Sequence, residues 1–389
     1  MTIAVDLRSL LQNFHSGVQE YTIQLLEALW RQDPDNHYVL ISSGWKDAIQ
    51  PASFRRYIQA LPQVQHYHLK LPNKILNVCW RFLKRPLLES LVGKIDILFA
   101  PNFALAPFPT RVPVVITFHD LSFEAQAQFF SWKRRLWHQM ARPRDQAQKA
   151  YKIIAVSQST KNDLIELFDI SAAKIQIIYS GIASCFRPLS KDHPQLSQIQ
   201  NKYRLPRHFI LSLGTLEPRK NIVSLISAFE RLKRQTLKSK AQNLKLVLAG
   251  PVGWESDSLY KQRLKSSLKG EILFPGPIAP QDRVYVYNLA KVFSYPSFFE
   301  GFGFPPLEAM ACGVPTIVSN RSSLSEAVGR GAIMVDPHKV EELTKALFQV
   351  LTDKALREYL ATQGQKQAAQ FTWARTARQT LEVFKKAAT

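Results

Sequence analysis

The chain has 389 residues, 46% hydrophobic and 21% charged, with 15 glycines and 23 prolines. That length holds two domains with substantial cores, and the composition excludes collagenous, low-complexity and largely disordered chains. The 51 Lys and Arg against 30 Asp and Glu leave a formal charge of +21, which points to an acidic partner: phosphates, anionic lipid or nucleic acid.

In chain order, the first half alternates short apolar strands with amphipathic helices. A strand is expected at Ile3–Val5, a helix over 18–31, and strands at Tyr38–Ile41, Ile95–Phe99, Val112–Phe118 and Ile153–Val156. A helix over 161–167, capped within Ser157-Gln158-Ser159, and a strand at Ile175–Ile178 complete the series. Such alternation predicts a parallel sheet covered by helices. Periodicity then fades among Pro188, Pro194 and Pro206, which reads as a linker. A second series places strands at 209–213, 244–249, 272–274, 292–295, 315–318 and 332–335, and residues 354–386 read as mostly helical. The expected division is a Rossmann-like domain over 1–185, a linker over 186–206, and a second Rossmann-like domain over 207–389 that carries the terminal helices. Two successive doubly wound α/β domains imply parallel sheets facing across a cleft, with ligands at the carboxyl ends of the strands.

The most informative segment runs from Ser297 to Pro315, Ser-Phe-Phe-Glu-Gly-Phe-Gly-Phe-Pro-Pro-Leu-Glu-Ala-Met-Ala-Cys-Gly-Val-Pro. Gly301 and Gly303 let backbone amides approach a ligand closely. Pro306 suits the first position of a helix, which puts Glu308 in its first turn. Glu300 and Glu308 thus bracket a glycine-floored loop suited to a polyhydroxylated ligand. Taken singly, Glu308 equally serves a helix dipole and Glu300 a solvated loop. After the first strand of the second series, Leu213-Gly214-Thr215-Leu216-Glu217-Pro218-Arg219-Lys220-Asn221 puts Arg219 and Lys220 at a helix start, where a fork donor, a point cation and amides can meet a diphosphate. Gly17, in Ser16-Gly17-Val18 between the first strand and helix, is another place where backbone can approach phosphate. His119, in Thr117-Phe118-His119-Asp120, ends a buried strand. Gly250-Pro251-Val252-Gly253-Trp254 and Gly276-Pro277-Ile278 follow strands as turns, and Asp33-Pro34-Asp35 reads as a proline turn rather than a metal-binding Asp-x-Asp.

The Glu-x7-Glu spacing, with Gly-Phe-Gly-Phe-Pro inside it and Ala-Met-Ala-Cys-Gly-Val-Pro after it, resembles the signature of retaining GT-B glycosyltransferases of family 4. The resemblance extends over about residues 1–375. It implies that Glu300 and His119 lie against the donor sugar as the catalytic pair. The amides of Gly301, Phe302, Gly303 and Phe304 would contact its hydroxyls and Glu308 would bind the ribose. Gly214, Arg219 and Lys220 would hold the diphosphate, Gly17 would approach the donor from the first domain, and Pro277 and Ile278 would border the nucleobase. Family members often carry two glycines at the first loop, where this chain has His15-Ser16-Gly17. The resemblance further implies hexosyl transfer with retention from a GDP- or UDP-linked sugar to a glycan or lipid-linked acceptor, with no cofactor and no metal. The donor phosphate would take the acceptor's proton. Asp6-Leu7-Arg8 and Gly17-Val18-Gln19-Glu20-Tyr21 resemble mannosyltransferase-like members.

Other readings stay open on the residues alone. Glu300 and Glu308 could serve a glycoside hydrolase, although such an enzyme needs no diphosphate clamp like Arg219-Lys220. An epimerase of the same fold would need no acceptor. A nucleic-acid binder fits the charge, but no binding motif is present and nucleic acid is not expected as a partner. Lys133, Arg134, Arg135, Arg142, Arg144 and Lys149 interleave with Trp132, Leu136, Trp137 and Met140, and the run from Lys74 to Arg85 holds Trp80, Phe82 and Leu83. Cations beside aromatics suit an anionic membrane surface, unless the apolar residues are an ordinary core stripe. Arg231, Lys233, Arg234, Lys238 and Lys240 lack aromatics and read as solvated. Cys79, Cys185 and Cys312 are far apart and in no metal-ligand spacing, which fits a reducing cytoplasm. The start at Met1-Thr2-Ile3-Ala4-Val5-Asp6 lacks signal-peptide features, and no run reaches the roughly 18 apolar residues of a membrane span. The expected location is cytoplasmic, peripheral on the inner face of the membrane.

Overall fold

The computed structural model describes residues 1–11, 16–44, 52–70, 73–129, 132–235, 243–254 and 266–389. They form two compact units, one of Met1–Gly181 with Thr372–Thr389 and one of Ile182–Phe371.

The first unit is built on seven strands: β1 (Thr2–Asp6), β2 (His37–Ser43), β3 (Val64–Leu69), β4 (Ile97–Ala100), β5 (Val114–Phe118), β6 (Lys152–Ala155) and β7 (Ile175–Ile177). All pair in parallel, in the order β3-β2-β1-β4-β5-β6-β7. The central strands are buried on both faces, which is why they read as unbroken apolar runs. Strand β3 was not expected. Its Val-Gln-His-Tyr-His-Leu sequence alternates with Gln65 and Tyr67 exposed, because it lies at the sheet edge with one face open to water. The helix Gly17–Gln32 follows β1; Ser16 accepts from the Gln19 amide at 3.3 Å while the Gln19 side chain accepts from the Ser16 amide at 3.1 Å.

The second unit has six strands: β8 (Phe209–Leu213), β9 (Lys245–Ala249), β10 (Ile272–Gly276), β11 (Val292–Tyr295), β12 (Thr316–Ser319) and β13 (Ile333–Val335). They too are all parallel, in the order β10-β9-β8-β11-β12-β13. Its core packs Leu225, Phe229 and Leu232 of the helix Ile222–Gln235 and Leu343 and Leu347 of the helix Val340–Thr352 with Ile210, Leu246 and Leu248 of the sheet. Each such burial stabilises by about 1.5–3 kcal/mol.

Two boundaries differ from expectation. The terminal helix Trp373–Ala388 belongs to the first unit rather than the second. Its buried face sets Phe384 against Phe99 with ring centroids 5.0 Å apart and Trp373 against Tyr21 at 5.9 Å, and Thr376 Oγ1 donates to the Tyr179 carbonyl at 2.8 Å. Helical periodicity shows that this face is buried but is silent on which core it joins. The expected linker is also structured. It contains the helix Pro194–Lys202 and is tied into the second unit, where Lys202 Nζ lies 2.6 Å from Asp282 and the Leu189 amide donates to Asn288 Oδ1 at 2.8 Å. Among the described residues, no helix is long and apolar enough to cross a membrane.

Candidate active site

In each sheet the strand order reverses once, between β1 and β4 in the first unit and between β8 and β11 in the second. Chain segments leaving two such neighbours diverge to opposite faces, so a crevice opens at their carboxyl ends. The segments that leave β8 and β11 carry Arg219, Lys220 and Glu300.

After β8 the chain makes the short helical turn Pro218–Lys220 and enters the helix Ile222–Gln235 through Asn221, which is left-handed at φ 55 and fixed by its side-chain amide donating to the Pro337 carbonyl at 2.7 Å. After β11, Ser297 Oγ donates to the Arg219 carbonyl at 3.0 Å and the Phe298 amide to the same carbonyl at 2.9 Å, stitching the two loops together. Glu300 is then held by its backbone, its amide donating to Ser322 Oγ at 2.8 Å and its carbonyl accepting from Ser323 Oγ at 2.8 Å.

Four charges meet here, all buried or nearly so. Arg219 grips Glu217 Oε1 through Nε at 3.1 Å and Nη2 at 2.8 Å, and its Nη1 reaches Glu300 Oε2 at 3.0 Å and the Phe299 carbonyl. Lys220 Nζ donates to Glu300 Oε1 and to the Tyr295 hydroxyl, each at 2.6 Å, and its third N–H has no partner among the described residues. Burial alone would raise the Glu300 carboxyl, but Arg219 and Lys220 outweigh it and hold the pKa at about 2. Burial and the neighbouring Arg219 also push the Lys220 ammonium down, below its ordinary value. The cluster is thus two cations balanced by two carboxylates, with a fork donor and a point cation fixed before any ligand arrives.

Glycines floor the adjoining strand ends. Gly250, after β9, has φ 137, and a Cβ there would lie 1.9 Å from the Gly214 carbonyl oxygen, so only glycine allows the two chains to approach. Gly303 has φ 101 and precedes the helix Phe304–Ala311. That helix begins at Phe304, so Pro306 is its third residue rather than its first, and Glu308 its fifth, beyond the first turn. Glu308 is 1% exposed, accepting from Arg283 Nη1 at 3.0 Å and from the Tyr287 hydroxyl at 2.7 Å. Phe302 is buried with its ring 5.2 Å from Phe304 and 5.6 Å from Phe371. At the end of β10, Gly276 has φ 82, Pro277 is exposed and Ile278 half-buried.

In the first unit Gly17 is the exposed first residue of its helix, and His15 lies outside the described residues. His119 follows β5. Its Nε2 lies 2.8 Å from the Pro101 carbonyl, which can only accept, so Nε2 carries the proton and Nδ1 the lone pair. The Tyr21 ring stands edge-on to it at 4.7 Å, and the Tyr21 hydroxyl meets Thr117 Oγ1 at 3.2 Å. Burial lowers the His119 pKa more than Asp120 and the Pro101 bond raise it. Asp33 acts as a turn brace, accepting from Asn36 Nδ2 at 2.8 Å and Tyr38 OH at 2.5 Å.

The structure therefore brings Arg219, Lys220 and Glu300 into contact and places Glu308 in a separate buried ion pair. Glu217, Tyr295, Arg283 and Tyr287 had not been singled out, although Glu217 stands two residues before Arg219 in the segment already quoted. Lys233, expected to be solvated, is 9% exposed and lies 2.6 Å from Glu271, because its stem covers the core beside Phe229. Lys238 and Lys240 lie outside the described residues.

Comparison with known proteins agrees with this geometry. Residues 15–184 match the family Glycosyltransferase Family 4, and residues 196–367 match Glycosyl transferases group 1. The chain is 34% identical over 291 residues to the O-antigen chain mannosyltransferase B of Escherichia coli, covering 74% of each chain. It is 36% identical over 241 residues to the serotype-specific mannosyltransferase WbdA of Escherichia coli, which covers 61% of this chain and 29% of that longer one. Among solved structures, Anabaena Alr3699/HepE in complex with UDP and glucose superposes with a TM-score of 0.74 at 18% identity over 99% of this chain and 100% of the other. WaaG, a glycosyltransferase involved in lipopolysaccharide biosynthesis, superposes at 0.72 and 16% identity over 98% and 99%. With both halves matched and a close relative across three quarters of its length, this enzyme belongs to the family 4 glycosyltransferases, and its pair of all-parallel sheets is their GT-B fold.

Proposed function

We propose that the enzyme transfers a hexosyl unit, mannose, from a GDP- or UDP-linked donor, with retention of anomeric configuration. The acceptor is a glycan or a lipid-linked glycan presented at an anionic membrane surface on the cytoplasmic side, as part of polysaccharide or glycoconjugate synthesis. The observation that carries this reading is the buried Arg219–Lys220–Glu300 cluster at the strand reversal of the second sheet. Breaking a sugar–phosphate bond develops negative charge on the departing diphosphate and positive charge on the sugar carbon. Arg219 and Lys220 suit the first demand, and as fixed cations they need no divalent metal beside them. Glu300, ionised at any pH of interest, suits the second and faces the sugar in this reading.

Glu308 binds the ribose, Gly214 and Gly17 allow backbone to approach the donor, and the amides from Gly301 to Phe304 meet sugar hydroxyls. Pro277 and Ile278 border the base. Neutral His119, with its Nε2 proton committed to Pro101, offers a lone pair on Nδ1 to a sugar hydroxyl. The donor phosphate takes the proton of the attacking acceptor. The preference for mannose rests on the relatives, which are themselves named mannosyltransferases.

A thermal-shift panel of GDP-mannose, UDP-glucose and ADP-glucose tests the donor, since selective binding raises Tm by mass action. The result expected is a rise with one GDP- or UDP-sugar and not with ADP-glucose. Proton NMR of the product's anomeric centre tests retention. No shift with any nucleotide-sugar, or an inverted product, overturns the reading.

A further inference from the structure

The helix Trp132–Ala141 has two apolar sides. His138 lies flat on Phe123, ring centroids 4.1 Å apart and planes 4° apart, and the Trp137 ring, itself 39% exposed, lies 6.0 Å from that of Phe103, so this side meets the core of the first unit. Trp132, Leu136 and Met140 follow one another at four-residue intervals on the other side, and they are 70%, 47% and 44% exposed. An apolar stripe at that spacing ordinarily turns inward. Here the core is already served by the opposite side and the stripe faces water.

A second exposed apolar element adjoins it. The guanidinium of Arg81 donates to the Met140 carbonyl, which brings the helical turn Cys79–Leu83 against the end of the stripe. Phe82 and Leu83 on that turn are 72% and 68% exposed. Single exposed apolar residues need no explanation, but five from two elements in contact form a patch of the kind that marks an interaction site. Exposed Lys84, Arg85, Arg135, Arg142 and Arg144 flank it.

From this we infer that Trp132, Leu136, Met140, Phe82 and Leu83 form one face that docks the first unit on an anionic bilayer. The apolar side chains enter the boundary between headgroups and acyl chains, and the flanking cations meet lipid phosphates. Charge selects this occupant over a second copy of the chain: at +21, self-association through a cation-flanked face would oppose like charges. The patch is also well placed. Phe103 and Phe123, on which the helix rests, lie in the segments leaving the carboxyl ends of β4 and β5, the end of the sheet that carries His119. The inference rests on the reading that the acceptor is presented at a membrane.

Sedimentation of the full chain with phosphatidylcholine vesicles, with and without about 30% phosphatidylglycerol, tests it at about 0.05 M and about 0.5 M salt. Binding is expected only with the anionic lipid and to fall at high salt. Leu136→Gln/Met140→Gln and Phe82→Ser/Leu83→Ser should each weaken partitioning at least tenfold. Arg135→Ser should weaken it about fivefold, the equivalent of ~1 kcal/mol for one cation at the surface. Circular dichroism and calorimetric binding of GDP and UDP are followed in every variant. Full vesicle binding by folded variants, or none by the wild type at low salt, overturns the docking face, while intact nucleotide binding in the same samples leaves the transferase reading standing. Vesicle binding without nucleotide binding does the reverse. A dimer in lipid-free sedimentation velocity that Leu136→Gln/Met140→Gln dissolves would assign the face to a second copy instead.

Discussion

Replacing Lys220 with Met tests the cluster at its centre, because the apolar side chain keeps the length of the stem and deletes only the ammonium. The change removes the 2.6 Å partner of Glu300 Oε1 and the donor to Tyr295, while Arg219 still holds Glu300 Oε2 at 3.0 Å. Removing one member of a buried pair costs about 3–5 kcal/mol, and the remaining arginine puts this case at the lower end. About 3 kcal/mol in a unit of this size lowers Tm by roughly 6–12 °C. The pH dependence carries a sign that a generic packing defect would not share. The Glu300 carboxyl is held down at about 2 against an ordinary 4.5, so the stability it contributes is fully present above about pH 4.5 and is lost as the pH falls toward 2. Lys220→Met forfeits part of that contribution, so wild type and variant should differ most near neutral pH and converge on acidification. Lys220→Met/Glu300→Gln should regain part of the loss, since the uncompensated carboxylate is gone. Scanning calorimetry between pH 3 and 8 reads the stability, and titration calorimetry with GDP and UDP reads the site. Loss of a charged hydrogen bond to phosphate should weaken nucleotide binding by about 10- to 100-fold. A Lys220→Met enzyme with a Tm gap independent of pH, and with wild-type nucleotide affinity, would refute both the electrostatic account and the phosphate role.

Further outcomes follow from neighbouring geometry. Gly250→Ala places a methyl group 1.9 Å from a backbone oxygen, so the loops after β8 and β9 must part; a loss of several kcal/mol in urea unfolding and of nucleotide binding is expected, and a stable, active variant would contradict the close approach. Glu308→Ala strands Arg283 and Tyr287 without their acceptor in a buried site and should lower stability by about 3 kcal/mol as well as nucleoside diphosphate affinity, whereas unchanged affinity for free GDP and UDP would remove Glu308 from the ribose site. His119 should show a protonated Nε2 and an unprotonated Nδ1 by nitrogen NMR and should resist protonation below its ordinary value. Because burial lowers its folded pKa, it withdraws stability as the pH falls through the ordinary histidine range, and a ring that titrates normally would contradict that burial, while a proton on Nδ1 and none on Nε2 would contradict the bond to Pro101.

Much of this molecule is legible along the chain. Residues such as Phe209 to Leu213 and Val292 to Tyr295 must be buried on both faces to be so apolar, which makes a parallel sheet with helices on each side the economical reading. The glycine-rich run from Glu300 to Glu308 and the Arg219-Lys220 pair are likewise local in sequence, so a glycine-floored loop bracketed by carboxylates and a pair of cations after a strand are visible along the chain. Periodicity records how strongly a residue is buried, however, and carries no address. It could not tell that Trp373 to Ala388 completes the first core rather than the second, nor that β3, with Gln65 and Tyr67 exposed and no side chain fully buried, is a strand at all. The same limit hid the division between the two glutamates. Glu300 and Glu308 are eight positions apart, yet one is clasped by Arg219 and Lys220 from 80 residues upstream and the other by Arg283 and Tyr287. It also hid which side of the helix Trp132–Ala141 meets the core. Charge pairing and the choice of buried face depend on neighbours supplied by strand order, and that order is decided only when every strand competes for its partners in the folded chain.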